Sequence, residues 1–93
     1  MYRKRYAKKF KISIRKLLRS GNDIREVVED VIEILASGKS LDRKYHDHTL
    51  TGDLKGYREC HIKPDILLIY KIEKDVLILV LADIGSHANL FGK

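Results

Sequence analysis

Residues 56–84 read GYRECHIKPDILLIYKIEKDVLILVLADI, and they decide the fold. Three runs rich in Ile, Leu, Val and Tyr, at Gly56 to Ile62, Ile66 to Ile72 and Val76 to Ile84, are broken at Lys63-Pro64-Asp65 and Glu73-Lys74-Asp75. β-Branched and aromatic residues between turn formers predict three strands, and connections this short predict an antiparallel meander. The last two runs are almost continuously apolar, so both faces of the sheet must be largely covered.

The cover is found upstream. Phe10, Ile14, Leu17 and Leu18 recur at helical spacing among Lys9, Lys11, Arg15, Lys16 and Arg19, which predicts a basic amphipathic helix over 8–20. Gly21 ends it. Asp23 and Glu26 have the form of a capping box for a second helix reaching toward Gly38, with Ile24, Val27, Val28, Val31, Ile32 and Leu35 as its apolar stripe. The Gly21-Asn22 link predicts an antiparallel helix hairpin packed on the sheet, and Met1 to Tyr6 can add an edge strand with its charges in water. The expected class is α+β, with residues 1–93 as one domain, which leaves room only for a shallow site.

Charge narrows the partner. The net charge is +6, yet residues 1–20 carry nine bases and no acid, and the remaining ten bases and thirteen acids leave −3. So polarised a domain suits a polyanion or an acidic protein. Lys8, Lys9, Lys11, Arg15, Lys16 and Arg19 on the first helix, with Arg58 in the first sheet run, are the candidate RNA-binding residues. No run has the length of a membrane span and no signal peptide is visible, so the expected address is the cytoplasm, with no membrane partner. Cys60 is the only cysteine and is expected to be a small buried apolar residue.

All four histidines, His46, His48, His61 and His87, fall in the C-terminal half. Histidine exchanges protons near neutral pH, and several of them beside acids and bases favour acid–base chemistry. RNA carries its own nucleophile, the 2′-hydroxyl, so a base, an acid and a cation suffice to cut it without a metal. Zinc asks for three or four ligands. His46-Asp47-His48 supplies two imidazoles, with no cysteine pair and no HExxH motif, so neither metal nor cofactor is expected. Strand alternation puts Tyr57, Glu59 and His61 on one face and Arg58, Cys60 and Ile62 on the other, so His61 and Arg58 meet only if the strand bends or bulges.

The runs Tyr45-His46-Asp47-His48-Thr49-Leu50-Thr51-Gly52, Lys55 to Tyr70, and Gly85-Ser86-His87-Ala88-Asn89-Leu90-Phe91 resemble the YafQ branch of the RelE toxin superfamily. The resemblance implies a RelE-like microbial ribonuclease fold, a ribosome-dependent endoribonuclease that cuts mRNA in the ribosomal A site, a DinJ- or RelB-like acidic antitoxin, and operator DNA bound through the antitoxin complex. By position it implies catalytic roles for His48 in the DHxL segment, for His61 and Asp65 in the CHxxPD segment, and for His87 and Phe91 in the GSHxxLF segment. His87 is expected to be the base, with His48 or His61 completing proton transfer, Asp65 orienting an imidazole or the substrate, and Phe91 stacking on a nucleobase. His46 falls outside the pattern and is expected to be exposed. Ile66 stands where relatives usually carry Trp, and Asp83 where they carry Arg. The second departure motivates the alternatives: a weak or non-nuclease toxin acting on a protein such as gyrase, or a co-repressor bound to antitoxin.

Overall fold

The computed structural model describes residues 1–92. Its elements are β1 (Arg3–Tyr6), α1 (Lys8–Arg19), α2 (Arg25–Ala36), β2 (His48–Thr49), β3 (Arg58–Lys63), β4 (Ile66–Glu73), β5 (Ile78–Gly85) and a terminal turn of helix, α3 (His87–Phe91). The five strands form one sheet in the order β1-β5-β4-β3-β2. The pairs β3–β4 and β4–β5 are antiparallel as expected, and β2, a two-residue strand the sequence did not announce, pairs antiparallel with β3. β1, however, runs parallel to β5, Arg3 opposite Ile78 and Tyr6 opposite Leu81. The sheet is therefore mixed, which corrects the all-antiparallel expectation. A short charged strand carries no mark of its neighbour, and only the long excursion through both helices returns β1 alongside the last strand.

The core lies between the helices and one sheet face. Phe10 of α1, Ile24, and Val28, Val31, Ile32 and Leu35 of α2 pack with Cys60 and Ile62 of β3, Leu68 and Tyr70 of β4, and Leu79, Leu81 and Ile84 of β5. Leu81 and Ile84 are three apart yet both buried, because the β4–β5 register slips between Ile69/Asp83 and Tyr70/Leu81 and leaves Ala82 as the extra residue. Such a bulge resets the alternation. Leu67 and Ile69, on the alternate positions of β4, are buried as well, so both sheet faces are covered there.

Gly21 stops α1. Its φ of +86° suits a residue without Cβ, and its amide donates to the carbonyl of Leu18 while that of Asn22 donates to Leu17. The capping box does not form: Ile24 precedes the first turn of α2, and neither Asp23 nor any other side chain caps it. Ile24 is fully buried. Its burial sets where α2 begins, and the apolar contact overrides the polar signal one residue earlier. α1 runs beside β5 and α2 beside β3, with residues of both helices lining a shared shallow groove.

Candidate active site

Three short stretches build the site. The polar segment before β2 makes a 3₁₀ turn at Arg43–Tyr45, where the Asp42 carboxylate accepts from the amide of Lys44, and then reverses at His46 in the left-handed region, φ 49°. β2 places His48 directly opposite Glu59 of β3. Cross-strand partners share a face, and His48 Nε2 lies 3.2 Å from Glu59 Oε2. The other ring nitrogen, Nδ1, is 2.8 Å from the carbonyl of His46. At the C-terminus Ser86 caps α3 by accepting from the amide of Asn89, which puts His87 at the first helical position, and Phe91 follows one turn later with its ring 5.1 Å from that of His87.

Glu59 was missed in the sequence because an acid on a strand reads as a solvent-facing residue. It is 4% exposed, and its second oxygen, Oε1, has no hydrogen-bond partner. A buried carboxylate oxygen left unpaired is costly and calls for a functional account. Glu59, Leu50, His87 and Phe91 line an open cavity of about 710 Å³. A second cavity, of about 730 Å³, is lined by Lys44, Tyr45, His46, His48, His61, Ile62, Lys63, Pro64 and Val27. There His61 meets His46 edge to face, ring centres 5.4 Å apart. His46 is exposed, as expected, but it supports both neighbouring imidazoles.

The other expected residues divide. Asp65 lies in the exposed turn between β3 and β4, and among the described residues its side chain is hydrogen-bonded to no imidazole. β3 does bulge after His61, but Arg58 stays away from it: its Nε donates to Asp47 Oδ1 at 3.2 Å and approaches the hydroxyl of Tyr70 at 3.3 Å. Asp47 beside it raises the Arg58 pKa further above its usual value. Lys8, Lys9, Lys11, Arg15, Lys16 and Arg19 are all exposed on α1. Lys9 and Lys16 border a cavity of about 480 Å³ that reaches Asn89 and Leu90 of α3. The basic helix thus borders α3 on one side, and Leu50 and Glu59 border it on the other.

Asp83 belongs to the α1 side. Ser13 Oγ donates to its Oδ1 at 2.7 Å and the amide of Ile84 at 2.8 Å, and it is absent from the lining of the cavity around His87. Cys60 is buried as expected, and burial pushes its thiol up to about 12, so it is no nucleophile.

A family model described as bacterial toxin of type II toxin–antitoxin system, YafQ, matches residues 2–92. This chain belongs to the YafQ toxin family. The mRNA interferase toxin YafQ of Escherichia coli K12 is 46% identical over 52 residues, which make up 56% of this chain and 54% of that protein. The chain thus spans about half the length of the curated relatives it matches. Solved toxin structures align over nearly all of it. A metal-bound toxin from Helicobacter pylori is 42% identical with a TM-score of 0.90, covering 98% of this chain and 100% of that one. The toxin chain of the E. coli DinJ–YafQ complex is 29% identical with a TM-score of 0.89, covering 99% and 100%. Among the described residues here, no three His, Cys, Asp or Glu side chains converge to hold a metal ion. The donor set therefore does not fit one.

Proposed function

We propose that this YafQ-family chain is the toxin of a type II toxin–antitoxin pair and a ribosome-dependent mRNA endoribonuclease working by histidine acid–base catalysis. The observation that carries the reading is the cavity shared by His87, Phe91 and Glu59, with His48 Nε2 3.2 Å from the Glu59 carboxylate. His87 takes the proton of the 2′-hydroxyl. The 2′-oxygen then bonds to phosphorus, the bond from phosphorus to the 5′-oxygen breaks, and His48 protonates the departing oxygen. The products are a 2′,3′-cyclic phosphate and a 5′-hydroxyl. Phe91 stacks on a base, and such contacts contribute about 1–3 kcal/mol each in single-strand binding.

His61, with Lys44 and Lys63 around the same cavity, receives a phosphate. Arg58 keeps its terminal guanidinium nitrogens for another, and Asp65 meets the substrate at the exposed turn rather than an imidazole. The six α1 bases hold ribosomal RNA or message. The two helices act as an antiparallel hairpin, supported by the short link between them and the groove they share. Residues 1–93 work as one domain in the cytoplasm, where an acidic DinJ- or RelB-like antitoxin neutralises the toxin and carries it to operator DNA.

The test is single-turnover cleavage of message on programmed ribosomes, with cut ends mapped at nucleotide resolution. His87→Ala is expected to lose about 10²- to 10⁴-fold in rate, the usual worth of a positioned acid or base. Full activity in that variant, or equal cutting of free RNA, overturns the reading.

A further inference from the structure

His48 touches two groups that can only accept a hydrogen bond when Glu59 is ionised: the carbonyl of His46 at Nδ1 and the Glu59 carboxylate at Nε2. A carbonyl never donates, so Nδ1 must carry hydrogen. Nε2 is then either a second donor to an ionised Glu59 or the acceptor of a proton on Glu59, because a bare ring nitrogen facing a carboxylate would be repelled. In both cases Nε2, 3.2 Å from Oε2, is the nitrogen left to exchange a proton. What keeps the His46 carbonyl turned toward the ring is therefore decisive.

The next residue answers this. Asp47 sits between the two histidines, and its Oδ1 accepts from the Tyr70 hydroxyl at 2.6 Å and from Arg58 Nε at 3.2 Å. Tyr70 is 1% exposed and packed in the core, so its hydroxyl is a fixed point. His46 takes up a backbone conformation unusual for a residue with Cβ, one that persists only where the surroundings enforce it. Fixing Asp47 to the sheet fixes the reversal at His46, and with it the carbonyl that selects the ring's protonation.

We propose that Asp47, clamped by Tyr70 and Arg58, is a positioning residue that pins the Nδ1 hydrogen of His48 on the His46 carbonyl and so makes Nε2 the nitrogen that gains and loses the transferred proton. The inference rests on the ribonuclease reading, in which His48 is the acid. Ring protonation can nevertheless be read without substrate, from two-bond 1H–15N correlations of histidine-labelled protein. Wild type is expected to show a protonated Nδ1 on His48. Asp47→Ala and Tyr70→Phe are expected to mix the two tautomers and to lower the maximal single-turnover rate tenfold or more, with KM for programmed ribosomes unchanged. Asp47→Asn keeps an acceptor for Tyr70 and is expected to retain the Nδ1 proton and a rate nearer wild type than Asp47→Ala. A His48 Nδ1 that stays protonated in both disrupting variants overturns the proposal, as does a lost tautomer with an undiminished rate. Tyr70→Phe preserves the ring in the core, so it reports even if Asp47→Ala does not fold. A wild-type chain that cleaves nothing overturns the ribonuclease reading alone.

Discussion

At the scale of single residues, Glu59 shows most clearly how far chemistry and stability pull apart. Its carboxylate is buried with one oxygen on His48 and the other unpaired. Glu59→Gln replaces the ionisable group by a neutral amide of the same shape. The expected outcome is equal or greater stability at pH 7, by about 1 kcal/mol in urea unfolding, together with at least tenfold slower cleavage. A variant that is destabilised and fully active would contradict both halves. The histidines were legible as a group because their chemistry is rare and their number conspicuous. Glu59 was not, since a strand acid usually faces water, and only the pairing of β2 with β3 turns it under His48. Asp83 was legible as an oddity, but its direction was not: the bulge at Ala82 and the hydroxyl of Ser13 place it beside α1.

Elements were easier to read than their surroundings. The meander over β3, β4 and β5 and the two helices fall within two residues of the boundaries expected from apolar periodicity, because burying those stripes dominates their energetics. Caps were less legible, since tertiary burial of Ile24 moved the start of α2. α1 has no polar cap either: Ala7 occupies that position in an extended conformation. Ala7→Ser should therefore stabilise the chain by about 0.5–1 kcal/mol, measured as a shift in urea midpoint at constant slope. The basic face of α1 invites a different measurement. Replacing Lys9 and Lys16 by Glu is expected to weaken ribosome binding and to flatten the dependence of log affinity on log salt by about one to two. An unchanged slope would remove α1 from the RNA contact.

For the whole molecule, burial of two ionisable groups in the shared core makes stability depend on alkaline pH. Burial holds Cys60 up to about 12 from an ordinary 9.0, and burial with the Asp47 bond holds Tyr70 above its ordinary 10.0. Both are neutral in the fold while the unfolded chain has begun to ionise, so the unfolded state binds fewer protons. Stability is then fully present below pH 9 and falls as pH rises toward the folded values. Thermal midpoints taken from pH 7 to 11 should decline beyond pH 9, and less steeply in Cys60→Ala. The layered α+β plan was legible in the sequence. The parallel pairing of β1 with β5 was not, because four exposed residues do not encode a neighbour.

That pairing also governs the order in which the molecule can come into being. Arg3 finds its partner in Ile78, roughly 75 positions later, and β5 is the strand between β1 and β4. β1 therefore stays unmatched until the roughly 75 residues that lead to β5 have been synthesised, and contacts of such separation slow folding. β5 also leads directly into Ser86 and His87. Closure of the sheet and delivery of the proposed base to its cavity thus depend on the same segment, so the site cannot form ahead of the sheet.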